Sequence, residues 1–286
     1  MVLNSAAFYG PPNDQLGNLK MLARFYEANP EYVDKTFLMV KGGLDFATPP
    51  APWRASAKAS TAASPRCGAQ RRSTFSSPRA STAAGPSIQN LVVLKDEGKF
   101  KHIGMSECRA ETLRRGNSVY PISVVEIEIS IWSYEEEVKK VVATAAELGI
   151  AVAGYSPLGR GFLTGQVQSI DDLPPTDFRR NCSRFSDHFE HNLQSANAIR
   201  AIAEKKGISP RQLAIAWVAH LGPHVLPLPG MSSKKRTLEN LAGGDIVLTA
   251  GELKAIADVQ EKYPVQGFRY FSSTSEMAPL DMGLWG

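Results

Sequence analysis

Apolar positions along the chain recur with two different periods, one that suits helices and one that suits strands. Within residues 15–29, Leu16, Leu19, Leu22 and Phe25 or Tyr26 fall at helical spacing, and Pro30 closes that helix. The run KTFLMVKGG at 35–43 is short and apolar, which predicts a buried strand delivering Lys41 to its carboxyl end before Gly42 and Gly43. From residue 88 the alternation becomes regular. IQNLVVLKDEG predicts a helix stopped by Gly98, KHIGMS a strand ending at Ser106, RAETLRRGNSV a helix and SVVEIEIS a strand. EEEVKKVVATAAELG predicts an amphipathic helix ending at Gly149, and IAVAGYSP the strand after it. Strand and helix alternating every 20 to 30 residues or so predict an α/β fold with a parallel sheet and helical crossovers, and the number of units points to a barrel.

The second half continues the pattern around a long excursion. Pro157, Gly159, Gly161 and Gly165 mark a loop at the carboxyl end of the IAVAGYSP strand. That is the end at which parallel α/β folds bind ligands. Residues 166–192 have turn residues and little periodicity, as in an active-site loop. LQSANAIRAIAEKKG and SPRQLAIAWVAHLG then read as helices, the second with Ser209 as N-cap and Pro210 as its first residue. HVLPLPG reads as a strand, MSSKKRTLENL as a helix opened by Ser232 or Ser233, and TAGELKAIADVQEKY as a last helix.

Charge breaks this regularity at one place. The formal net charge is +4, but residues 47–87 hold six Arg or Lys and no acid, so the remainder carries −2. The same segment has no Val, Ile, Leu or Met, and too little apolar surface to offset the entropy of ordering, which predicts disorder. Its composition reads as a linker, as a basic arm for nucleic acid, or, fitting best, as GC-rich coding DNA translated out of frame. Outside it, a 43% hydrophobic content over 286 residues suffices for a core. Cys67, Cys108 and Cys182 are odd in number and lack metal-ligand spacing, and neither a secretory leader nor a membrane span is visible. A cytoplasmic protein with reduced thiols follows.

Two features suggest chemistry. A helix that starts at Ser232 to Arg236 directly after a strand offers free backbone N–H groups and a positive dipole end, and Arg236 can grip a phosphate with two hydrogen bonds. A solvated basic helix start reads the same. Paired with the glycine loop it suits a dinucleotide, which needs one site for its pyrophosphate and another for a distal phosphate. Tyr155 then stands where a ring could stack, or it is rim packing. His188 and His191 are three apart but have no acidic third ligand, so no metal is expected.

NSAAFYG, the Lys41 strand with VKGG, HIGMS, YSPLGRGFLTG and LPLPGMSSKKRTLENL occur in the order and approximate spacing of the aldo-keto reductase family, which the chain resembles over most of its length outside 47–87. FYGPP, LKMLARFYEANPEY and VEIEIS look most like fungal pyridoxal reductases. The resemblance implies a single (β/α)8 TIM-type barrel that binds NADPH and reduces an aldehyde or ketone, here a pyridoxal-like aldehyde, with no nucleic acid or membrane as partner. It implies that Tyr9 is the acid that protonates the carbonyl oxygen and that Lys41 eases the loss of that proton. It places Tyr155 against the nicotinamide ring and Ser156, Leu158 and Arg160 near the pyrophosphate. Ser106, Glu107 and Glu126 would hold the carboxamide, while Ser232, Ser233, Arg236, Glu239 and Asn240 would hold the 2′-phosphate and adenine.

The departures from the family are equally specific. Asn4 stands where many members carry the aspartate paired with the lysine, which leaves Lys41 without that partner. Glu107 and Glu126 replace the common Asn and Gln, though carboxylates still accept from an amide NH2. The family's first strand, first helix and most of its second strand have no counterpart, and 47–87 falls where a helix, the fourth strand and a frequent catalytic histidine belong. An incomplete barrel exposes strand edges, so poor folding or weak NADPH binding is expected. Three other readings stand beside the reductase: a catalytically silent nucleotide-binding relative in a regulatory role, a Schiff-base enzyme using Lys41 as nucleophile, and a nucleic-acid binder using the basic segment.

Overall fold

Strands far apart in sequence pair in parallel and carry the fold. In the computed structural model, which describes residues 1–11, 13–42, 73–77, 88–231 and 233–270, β1 (Val2–Ala6) lies beside β2 (Phe37–Lys41) with Ala6 opposite Lys41. Then come β3 (Ser73–Ser77), β4 (His102–Ser106), β5 (Val124–Glu128), β6 (Ala151–Tyr155) and β7 (Val225–Leu228), hydrogen-bonded in sequence order. Registers from β1 to β5 are all parallel. With the helices between them, these strands fit an α/β fold of the TIM-barrel type, with seven strands among the described residues.

Two strands differ from the sequence reading. Val2–Ala6 is a full five-residue strand, where most of the corresponding family strand was expected to be missing. Ser73–Ser77 lies within the segment expected to be disordered, yet it pairs with Leu38–Lys41 on one side and His102–Met105 on the other. Main-chain ladder bonds need no apolar side chains, so a central strand can form from STFSS when ordered neighbours flank it on both sides. The rest of 47–87 lies outside the described residues.

The described residues divide into two compact units, one of residues 1–127 and 139–152, the other of 128–138 and 153–270. In the first, α1 (Gly17–Ala28) lays Leu19, Ala23 and Tyr26 on Leu38 and Val40 of β2. The Tyr26 and Thr36 hydroxyls bond at 2.8 Å, which satisfies two polar atoms inside that core. The helix stops before Pro30, as its sequence predicts, and Pro30–Tyr32 continues as a 3-10 turn. Next are α2 (Ile88–Asp96), α3 (Ala110–Val119) and α4 (Glu136–Leu148), whose apolar faces bury Leu91, Leu113, Val141 and Ala145 completely.

The second unit holds α5 (Phe189–Lys206), α6 (Pro210–Ala219), α7 (Lys234–Gly243) and α8 (Ala250–Lys262). Helix α5 begins four residues ahead of the periodic stretch because Phe189 packs edge-on against Phe162, 5.1 Å between centroids. Ser209 caps α6 in a capping box with Gln212, as read from SPRQ, and Thr249 caps α8 with Glu252. The excursion at 166–192 is built from short turns, including 3-10 turns at Ile170–Asp172 and Phe178–Asn181. No helix among the described residues is long and apolar enough to cross a membrane.

Candidate active site

The alternation in VVEIE on β5 sends Val125 and Ile127 to one face, both fully buried, and Glu126 and Glu128 to the other. A polar face on a strand usually meets water, but Glu126 and Glu128 are buried as well. Buried carboxylates need cations or donors, and each finds them.

Glu126 is served by β2 and β1. Lys41 Nζ donates to Glu126 Oε1 at 2.6 Å and to Asn4 Oδ1 at 2.5 Å, while Asn4 Nδ2 donates to Glu126 Oε2 at 2.7 Å. The three side chains close a ring of hydrogen bonds. Four strand spacings of ~4.8 Å would put β1 about 19 Å from β5 in a flat sheet, beyond the joint reach of Asn and Glu. The sheet of this unit therefore curls so that the inner faces of β1, β2 and β5 converge. With Asn4 at the position of the expected aspartate, the carboxylate beside Lys41 comes from Glu126 instead.

Tyr9 follows β1 through a turn in which its N–H donates to Ala6 O at 3.4 Å. Its ring lies edge-on to Phe8 at 5.3 Å and beneath Lys41, whose Nζ is 4.9 Å from the ring centroid. At 56% exposure Tyr9 stands open to solvent while Lys41 and Glu126 behind it do not. The structure thus brings Asn4, Tyr9 and Lys41 together, as the resemblance implies. At the end of β4, Ser106 pairs in register with Glu126, and the Glu107 N–H donates to Glu126 O at 2.8 Å. Glu107 takes a left-handed conformation, φ +51°. Next to it, burial, with Glu107's charge adding to it, pushes the Cys108 thiol up to about 12.

The second unit gathers the residues around the glycine loop. Arg160 NH2 donates to Glu128 Oε2 at 3.0 Å and Arg269 NH1 to the same oxygen at 3.2 Å. Arg160 also donates to Arg269 O at 2.5 Å and lies 4.3 Å from the centroid of the Tyr270 ring, whose hydroxyl bonds that of Tyr155 at 2.8 Å. Arg160, expected near a pyrophosphate, is thereby held by Glu128 and the 269–270 segment. Leu158 O accepts from Gly161 N–H at 3.0 Å and Leu163 N–H at 3.2 Å, which shapes the turn. Ser156 and Arg160 both have φ +54°; with Glu107 they are the non-glycine residues at positive φ among the described residues. Such backbone strain concentrates at functional sites, and all three belong to the expected cofactor set.

At the start of α7, Ser233 caps the helix by accepting from Arg236 N–H at 3.4 Å, and Lys234, Lys235 and Arg236 are exposed around the open N–H groups. Ser232 lies outside the described residues. Glu239 approaches Arg211 to 4.0 Å. Asn240 is 3% exposed, and neither its amide nitrogen nor its amide oxygen has a hydrogen-bond partner among the described residues. Such an orphaned donor and acceptor match the edge of an adenine, which presents one of each, and the basic helix start matches a phosphate. By these two observations the residues present fit a phosphorylated dinucleotide.

Sequence reading missed three residues that organise this region. Glu128 was legible in principle, as the second acid on the alternating face of VEIEIS, but Arg269 and Tyr270 carry no local signal.

The fold and the site can be set beside known proteins. A family model described as the aldo/keto reductase family matches residues 74–261 of the 286. Aldo-keto reductase str7 of Strobilurus tenacellus is 40% identical over 182 residues, 63% of this chain and 54% of that protein. Aldo-keto reductase yakc [NADP(+)] of Schizosaccharomyces pombe is 39% identical over 178 residues, 61% of this chain and 52% of that protein. The chain thus spans about half the length of these curated relatives. Among solved structures, the glycerol dehydrogenase AKR11B4 from Gluconobacter oxydans superimposes with a TM-score of 0.76 at 20% identity, over 93% of this chain and 82% of that one. The thermostable aldo-keto reductase Tm1743 does so with a TM-score of 0.67 at 15% identity, over 90% and 81%. At such identities the structural likeness concerns the fold.

Proposed function

The chain belongs to the aldo/keto reductase family, and from that premise we propose that it reduces an aldehyde or ketone to the alcohol with NADPH, a pyridoxal-like aldehyde being the substrate. The observation that carries this reading is Lys41, buried on Glu126 and Asn4 and lying against the ring of an exposed Tyr9. Bound NADPH would supply the hydride. Tyr9 donates its hydroxyl proton to the carbonyl oxygen as negative charge develops there, and its exposure leaves that hydroxyl accessible to a substrate. Lys41, held by its two partners, sets its ammonium group against the phenol ring, where it stabilises negative charge that develops during proton transfer. By the family resemblance Tyr155 would lie against the nicotinamide, and the α7 start with Arg236 and Asn240 would hold the adenosine phosphate end. A lysine that already donates to two side chains is poorly placed to attack a carbonyl, which disfavours the Schiff-base reading. Cys108 and Cys182 are buried, and neither is in a disulfide among the described residues, which supports the reading of reduced thiols.

Titrating the purified chain with NADPH by fluorescence and assaying NADPH oxidation with pyridoxal tests the proposal. Tyr9→Phe should cut turnover by about 10²–10⁴-fold and leave nucleotide binding unchanged. Nucleotide binding without turnover in the parent chain would favour a silent relative, and the absence of both would reject the reading.

A further inference from the structure

We infer that Glu126 is the positioning carboxylate of Lys41, with the amide of Asn4 bridging the two. The inference rests on the reductase reading only for its catalytic consequence. Its structural basis is the ring formed by Asn4, Lys41 and Glu126 at 2.5, 2.6 and 2.7 Å. The ring holds one cation, one carboxylate and one amide, all from strands of one unit.

The donor count shows how the ring closes. An amide can accept on one side and donate on the other, so Asn4 takes a hydrogen bond from Lys41 through Oδ1 and passes one to Glu126 through Nδ2. Both carboxylate oxygens of Glu126 are then in use, Oε1 on Lys41 and Oε2 on Asn4. Its role is to fix Lys41 over the Tyr9 ring. Glu126 therefore acts through Lys41 and Tyr9 and does not itself handle the substrate. The side chains of Lys41 and Glu126 are only 7% and 5% exposed, so water cannot replace the lost partner if either is changed.

Glu126→Gln and the double variant Asn4→Asp/Glu126→Gln separate this role from the alternative. If Glu126 merely stands in for the common glutamine on the carboxamide, Glu126→Gln should be as active as the parent. If it is the lysine's counter-ion, Glu126→Gln should lose turnover by about tenfold or more, with a changed pH–rate profile. The double variant, which returns the carboxylate to β1, should recover most of that loss. Two readouts are independent of activity: urea unfolding, and the rate at which acetic anhydride acetylates Lys41, followed by mass spectrometry. Acetylation should speed up roughly tenfold or more in Glu126→Gln and slow again in the double variant. If Glu126→Gln does not fold, a folded double variant is itself the rescue, and a double variant that also fails to fold overturns the inference. Parent-like acetylation and unfolding in Glu126→Gln, or a double variant no better than the single one, overturns it too. Should the parent prove inactive on every carbonyl tried, the reductase reading falls, while acetylation and unfolding still decide the role of Glu126.

Discussion

Lys41 Nζ on β2 and Glu126 Oε1 on β5 lie 2.6 Å apart, although β3 and β4 stand between their strands. Removing the lysine strands a buried carboxylate, so Lys41→Met should destabilise the protein by about 3–5 kcal/mol. It should also abolish carbonyl reduction. Urea unfolding read by circular dichroism measures the first effect, and a loss below about 1 kcal/mol would mean that the pair is solvated in solution.

Glu128 carries two guanidinium groups, those of Arg160 and Arg269, whose side chains are 10% and 8% exposed. Glu128→Gln removes the counter-charge that both cations share. A destabilisation of about 3–5 kcal/mol is expected, with the 269–270 segment released from the glycine loop. Faster amide hydrogen exchange around residues 159–165 and 267–270 in the variant would record that release.

Asn240 is buried with both ends of its amide unpartnered among the described residues, an arrangement that costs stability. Asn240→Leu, similar in volume, should raise the unfolding free energy by about 1–2 kcal/mol and weaken NADPH binding. A variant that is less stable than the parent in thermal melts would show that the amide has partners in solution.

His102 holds its proton less readily in the folded chain than a free imidazole, through burial first and then the positive charges of Lys101 and Lys95. The unfolded chain therefore binds that proton first as pH falls. Stability should drop on acidification through about 6.5 and level off once the folded state's own lower pKa is passed. His102→Gln should flatten this dependence, which unfolding midpoints taken across that range can measure.

Much of this was written locally in the chain. Helical and strand periods identified most described elements from residue 88 onward, because the pattern of buried positions follows directly from 3.6- and 2-residue repeats. The capping box at Ser209 and the stop at Pro30 were equally legible, since both depend on neighbouring residues alone. The family motifs also placed Asn4, Tyr9 and Lys41 in one centre. What the sequence could not decide were relations between strands. STFSS became β3 through the ladders on either side of it, and a main-chain ladder leaves no mark on side-chain composition. The alternation of VEIE puts its acids on one strand face, but only the curl of the sheet turned that face inward. Glu126 then met Lys41 across 85 residues and Glu128 met Arg269 across 141. Local periodicity determined which residues could be buried; only the closing of β1, β2 and β5 on one another decided that Lys41 has a carboxylate partner, because that contact depends on sheet curvature, which no stretch of the chain encodes by itself.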